Sequence, residues 1–288
     1  MGELKRETGL FGSIVNNLSK ADNSTEGDYY DEEGFLMCGN CHTRKQFDVD
    51  MRELFGEIRR VPVMCKCAKE KQEAEKKARE LNELRMKIEK LKQSGISDPE
   101  YLKWTFEKDD QMNLKLSQAV RRYVDKWDEM QEKNMGLMFY GNVGTGKSFF
   151  AACIANAVID KGIPAIMTNM PSLITALSQD YEKDKAQILA RLSEVPLLIL
   201  DDVGVERDTT FAYEKVQEIV DTRYRSGKPL IITTNLSPKE LANPADIRYK
   251  RVYDRLLEMC YPILVDGASR RMGKAYQKSK DAKDLLGL

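Results

Sequence analysis

Residues 136–161 read GLMFYGNVGTGKSFFAACIANAVIDK, and this stretch decides the fold. Its first five residues are an apolar run, its next eight match G-x-x-x-x-G-K-[ST], and the remainder favours a helix that Gly162 stops. The spacing predicts a strand, a tight loop and a helix, in that order. Glycine at 141, 144 and 146 lets the backbone curl until successive N–H groups converge on one point. The positive end of the helix dipole then adds to them. Such a cradle suits the phosphates of a nucleotide. The candidate binding residues are Gly141, Asn142, Val143, Gly144, Thr145, Gly146, Lys147 and Ser148. Lys147 is placed to reach the β- and γ-phosphates of ATP, and the Ser148 hydroxyl to ligate Mg²⁺.

Downstream of the loop, apolar runs alternate with helical patterns. Strands are predicted at 164–169, 195–200, 229–234 and 261–265, and a helix over Phe211–Arg225 closes at Gly227. Ser237-Pro238-Lys239-Glu240 is a capping box with proline at the first helical position. This alternation means an α/β fold: a parallel sheet sandwiched by helices. The run Leu197–Leu200 ends in Asp201-Asp202, an acidic pair at the tip of a strand buried on both faces. Asp201 is the candidate for holding Mg²⁺, and Asp202 for orienting and polarising the attacking water. Asn235 ends Ile231-Ile232-Thr233-Thr234-Asn235, where an amide can hold that water; taken alone it is equally a turn asparagine. Arg251 and Arg255 lie on one predicted helix, and Arg270 and Arg271 follow the last strand. Cations of this kind can stabilise charge on a transferring phosphoryl group, although surface arginines are common.

Taken together, GLMFYGNVGTGKSFFAACIANAVI, LLILDDVGVE, YRSGKPLIITTNLSPKEL and RVYDRL resemble the DnaC/DnaI-type helicase-loader branch of the AAA+ P-loop NTPases, which also includes IstB-like transposon helpers. The resemblance runs from about Gly95 to Met272. It implies an ATP- and Mg²⁺-dependent ATPase that binds single-stranded DNA, forms a homo-oligomer on it and engages a hexameric replicative helicase. The implied catalytic set is Lys147, Asp201, Asp202, Asn235, Arg255 as an arginine finger and Arg271 as a second sensor. Arg251 and Arg270 are the alternatives for the two arginines. Several relatives have Glu where Asp202 stands; the shorter side chain predicts slow, regulated hydrolysis. The family lacks a separate helical lid domain, and about twenty residues after the last strand are too few for one.

Four of the six cysteines fall between Cys38 and Cys67. Cys38-Gly-Asn-Cys41 is a C-x₂-C knuckle, and Cys65-Lys-Cys67 a tighter C-x-C. Two thiol pairs suit tetrahedral Zn²⁺, which a module this small needs in order to fold. His42 directly follows Cys41 and is an alternative ligand. Cys153 and Cys260 sit alone in apolar patterns and read as small core residues. Loaders of the DnaI and phage type resemble this layout and grip the helicase through the N-terminal module, whereas IstB-type helpers lack the cysteines.

The expected organisation is a flexible arm at 1–34, a zinc-binding module at 35–68, a charged helical connector at 69–95 and the ATPase domain at 96–288. Residues 69–92 lack Gly and Pro, and Leu81, Leu84, Ile88 and Leu91 make one apolar stripe on them. The stripe suits a solvated connector or a short coiled-coil or docking helix. Lys and Arg number 46, as do Asp and Glu, so no global basic field recruits nucleic acid. Residues 1–10 lack an apolar core segment and no run is long enough to span a membrane, so a cytoplasmic protein is expected. Besides loading a helicase, a transposition helper or a nucleotide-gated adaptor with negligible hydrolysis fits the same core.

Overall fold

The structure is a computed structural model and describes residues 24–178, 182–205 and 209–287. The chain divides into two compact units, Met1–Glu83 and Leu84–Leu288.

In the first unit, β1 (Tyr29–Tyr30) pairs antiparallel with β2 (Leu36–Met37). A second hairpin pairs β3 (Gln46–Asp50) with β4 (Ile58–Pro62) around the short helix α1 (Arg52–Phe55). The expected arm is corrected here over residues 24–34, while 1–23 lie outside the described residues. The Asp28 side chain is only 3% exposed; it accepts from Lys45 Nζ at 2.5 Å and from the backbone N–H of Thr25 and Gly39. An acidic, turn-rich composition resembles a solvated tail. Here one of its carboxylates is instead a buried, fully bonded anchor.

Helix α2 (Lys66–Gly95) carries few residues that could break it, and lysine–glutamate pairs at Lys71–Glu75 and Lys76–Glu80 lie one turn apart along it. Its apolar stripe serves two ends. Leu81 and Leu84 are exposed, whereas Ile88 and Leu91 pack against the core of the second unit.

That core surrounds five parallel strands in the order β6-β7-β8-β5-β9. They are β5 (Gly136–Tyr140), β6 (Ala165–Asn169), β7 (Leu197–Val203), β8 (Leu230–Thr234) and β9 (Cys260–Leu264). Successive side chains point to opposite faces of a strand. Thus Leu197 and Ile199 feed one apolar layer, and Leu198 and Leu200 the other. Helices α3 (Pro99–Leu102), α4 (Leu114–Asp125), α5 (Trp127–Glu132) and α6 (Lys147–Asp160) belong to the first layer's side. On the other side lie α7 (Met170–Leu177), α8 (Glu182–Glu194), α9 (Thr210–Ser226), α10 (Pro238–Ala242) and α11 (Lys250–Met259). The capping box at Ser237 and Glu240 forms as read. A single helix, α12 (Arg270–Leu286), follows the last strand. No described helix is long and apolar enough to cross a membrane.

Strand β7 runs three residues beyond its predicted end. Its pairing with β8 is interrupted between Leu200 and Val203, and Asp202 takes a left-handed φ of 55° in the interruption. The chain leaves β5 for the far edge of the sheet and returns through β7 to β8, beside β5. The crevice beyond the strand ends at such a reversal is where open α/β sheets bind ligands.

Candidate functional site

The loop after β5 curls tightly. Gly141 has φ 138°, and a Cβ there would stand 2.5 Å from the Val265 carbonyl, so only glycine fits. Lys147, first residue of α6, is buried and turns back over the loop. Its Nζ donates to the carbonyls of Gly141 and Asn142 at 2.9 and 2.8 Å and to Asn235 Oδ1 at 2.8 Å. Because β8 lies beside β5, the residue after β8 reaches the loop lysine across 88 positions of sequence. Burial holds the Lys147 pKa below the usual lysine value, with Asp202 and Asp201 opposing that shift.

Asp201 is 2% exposed, and both its oxygens are bonded. Oδ1 accepts from Thr233 Oγ1 at 2.5 Å, and Oδ2 from the Tyr101 hydroxyl at 2.7 Å. Thr233 Oγ1 also accepts from the Asp202 backbone N–H at 3.0 Å, which ties the strained residue to β8. The Asp202 side chain is open to the cleft. The cleft walls and the neighbouring Asp201 charge raise its pKa above the ordinary aspartate value, against the pull of Arg271 and Lys147. A non-glycine residue in left-handed backbone, beside a buried carboxylate, is strain of the kind that collects at functional sites.

Lys147, Ser148, Asp202, Asn235 and Arg271 all line one cleft of about 670 Å³. Asp201, held by Thr233 and Tyr101, is not among the residues that line it. The four arginines divide sharply. Arg270 donates to Asp110 Oδ1 at 2.8 Å, and its backbone N–H to the Gly144 carbonyl at 2.9 Å, so it closes the segment after β9 over the loop. Arg271 lines the cleft, as Arg270 also does. Arg255 does not line it: the guanidinium is paired with Asp221 on α9 and lies over the Tyr224 ring. Arg251, one turn earlier on α11, is exposed. Sequence reasoning passed over Tyr101, Trp104 and Asp110, which come from a segment without a motif. Thr233 was in view in the run ending at Asn235, where its alternation with Thr234 was the available signal.

In the first unit, one sulfur from each of Cys38, Cys41, Cys65 and Cys67 falls within 4.8 Å of all the others. Cys67 Sγ is 3.5 Å from Cys38 Sγ and 3.4 Å from Cys65 Sγ. Tetrahedral zinc with Zn–S near 2.3 Å requires sulfurs about 3.8 Å apart, so the cluster fits with small adjustments. The Thr43 hydroxyl and the Cys67 N–H lower the Cys41 thiol to about 5, while crowding by three other sulfurs raises Cys67 to about 12. A bound cation relieves that crowding. His42 stands outside the cluster, with Nδ1 3.2 Å from the Tyr29 hydroxyl. The grouped ligand atoms are those of the four cysteines, without the histidine.

The family model described as IstB-like ATP binding protein matches residues 67–279, well over half the chain. The chain belongs to that family. Membership makes it an ATP-binding protein, in accord with the loop at 141–148. Within the family's wider kin it is similar to the replicative helicase loader DnaI of Bacillus subtilis, 27% identical over 173 residues, covering 56% of this chain and 55% of the relative. It is similar also to the replicative helicase loader DnaC of Escherichia coli, 30% identical over 149 residues, covering 51% and 58%. The chain thus spans little more than half the length of these relatives. A crystal structure of the DnaC helicase loader superposes with a TM-score of 0.50 at 25% identity, covering 59% of this chain and all of that one. The AAA+ kind of parallel sheet flanked by helices is therefore the fold.

Proposed function

We propose that this chain hydrolyses ATP and uses the cycle to load a hexameric replicative helicase onto single-stranded DNA. The observation that carries the catalytic part is the Lys147 Nζ–Asn235 Oδ1 contact, which places the end of β8 against the phosphate loop beside Asp202. Loop N–H groups and Lys147 bind the triphosphate. Asn235 and the Asp202 carboxylate flank the side of the cleft from which water attacks, one orienting it and the other accepting its proton. Arg271 adds positive charge from the same chain. Mg²⁺, held through Ser148 and Asp201, would draw charge from the β- and γ-phosphate oxygens. The four-cysteine cluster would hold Zn²⁺ and keep the N-terminal module folded.

An arginine from a neighbouring copy would complete the site in a homo-oligomer on DNA. Arg251 suits that role better than Arg255, which is engaged within its own chain. The helicase partner is supported by the likeness to proteins named as DnaI and DnaC loaders together with the cysteine module.

The test compares the full chain with a chain cut to Leu84–Leu288, the second unit, which includes Ile88 and Leu91. Both should bind ATP, and both should turn it over faster with single-stranded DNA. Only the full chain should capture a replicative helicase. Equal capture by both would move the contact into the ATPase unit and favour a transposition helper. Absence of turnover in both, with ATP bound, would make the protein a nucleotide-gated adaptor.

A further inference from the structure

We infer that Tyr101 is a positioning residue for Asp201: its hydroxyl fixes the orientation of the carboxylate on which divalent-cation binding in the nucleotide cleft depends. The inference rests on the ATPase reading above and extends it to a residue outside every motif of the site. A carboxylate on a strand tip can rotate about its χ angles, and a cation needs one rotamer only. Asp201 has both oxygens pinned, by Thr233 from β8 at 2.5 Å and by Tyr101 at 2.7 Å. Each oxygen keeps a further lone-pair direction for a cation or its water.

The phenol is itself held in place. Tyr101 is 6% exposed and sits on α3, whose N-cap Asp98 accepts from the Glu100 N–H. Asn156 on α6 donates from Nδ2 to the carbonyls of Tyr101 and Trp104 at 2.8 and 2.9 Å. The Trp104 ring lies against the Tyr101 ring with centroids 5.3 Å apart. Just upstream, Ile96 bridges Met167 of the edge strand β6, and the Ser97 N–H donates to the Met167 carbonyl at 3.0 Å. The helix that begins at the phosphate-loop lysine thus also anchors, through Asn156, the backbone that carries the phenol. A buried tyrosine needs only one acceptor for its hydroxyl, and a backbone carbonyl serves elsewhere in this core, as Tyr123 shows with Met135 at 2.8 Å. Tyr101 spends its donor on the one carboxylate of the acidic pair that is sealed from solvent.

The test is Tyr101→Phe, which keeps the ring and removes the hydroxyl. Mn²⁺ uptake by the full chain with ATP is titrated by electron paramagnetic resonance. Loss of a charge-assisted hydrogen bond that orients the carboxylate should weaken Mn²⁺ binding about tenfold. ATP affinity measured in EDTA should stay unchanged. Tyr123→Phe serves as the control for a lost buried hydroxyl and should leave Mn²⁺ uptake as in the unaltered chain. Equal Mn²⁺ affinity in Tyr101→Phe and the unaltered chain, or equal weakening in Tyr123→Phe, overturns the positioning role alone. An unaltered chain that binds ATP but takes up no Mn²⁺ overturns the ATPase reading, and this inference with it.

Discussion

Arg255 on α11 and Asp221 on α9 form an ion pair within one chain, both side chains about 15% exposed, with the guanidinium over the Tyr224 ring. A guanidinium committed in this way braces two helices on one side of the sheet. Arg255→Ala leaves the Asp221 carboxylate half-buried without its cation, a loss of about 2 kcal/mol. Urea denaturation should show it. Arg251→Ala removes only an exposed side chain and should leave stability unchanged while abolishing DNA-stimulated turnover. Mixing Arg251→Ala with Lys147→Ala chains should restore part of that turnover, since each supplies the half the other lacks. Rescue by Arg255→Ala but not by Arg251→Ala, with both folded, would return the finger to Arg255.

Asp202 should set the acid limb of turnover. In the proposed role its unprotonated form accepts from water, so activity should fall as pH drops through its pKa. Burial and Asp201 have raised that pKa above the usual carboxylate value of about 3.9. Asp202→Asn should keep ATP bound and stop turnover. Because the folded pKa is raised, ionising Asp202 costs stability as pH rises through it, and the asparagine variant should melt higher at neutral pH. Asn also accepts the left-handed backbone at this position. A wild-type rate from Asp202→Asn would remove the role assigned to it.

Metal analysis should find about one Zn²⁺ per chain in protein purified without chelator. Cys38→Ser should release it and open the N-terminal module to protease, since the cluster is what holds Cys38 to Cys65 and Cys67. ATP binding by the second unit should not change. Metal-free protein with an intact module would rule out a structural ion.

Arg223 is fully buried, and its guanidinium is held by backbone carbonyls. It donates to the carbonyls of Leu192, Val195, Pro196 and Pro229, where α8 ends and where β7 and β8 begin. Burial lowers its pKa to about 10, which still leaves it charged at neutral pH. Arg223→Met orphans several buried carbonyls and should cost about 3 kcal/mol, read from chemical denaturation. Nucleotide affinity of the folded fraction should be unaltered, because these contacts lie at the strand ends opposite the cleft.

Residues 136–161 alone determined the phosphate loop and its flanking strand and helix, because the motif is local: eight consecutive residues set the backbone that makes it. The alternation of apolar runs likewise determined a parallel sheet, since a strand buried on both faces must be apolar throughout, as Leu197–Leu200 is. The thiols of Cys38, Cys41, Cys65 and Cys67 were legible as a group because metal-ligand spacing is short-range. What only the tertiary structure decided are pairings across long separations of sequence. Tyr101 meets Asp201 at a separation of 100 residues, and Arg255 meets Asp221 at 34, between side chains whose own neighbours in sequence carry no trace of the partner. Asp28 lies in the stretch expected to be a flexible arm, yet its side chain is sealed in an ion pair with Lys45. Composition reports how polar a segment is, whereas burial depends on what folds onto it. The acidic stretch before Phe35 therefore reads by composition as solvent-exposed chain, yet from residue 24 it is part of the folded module.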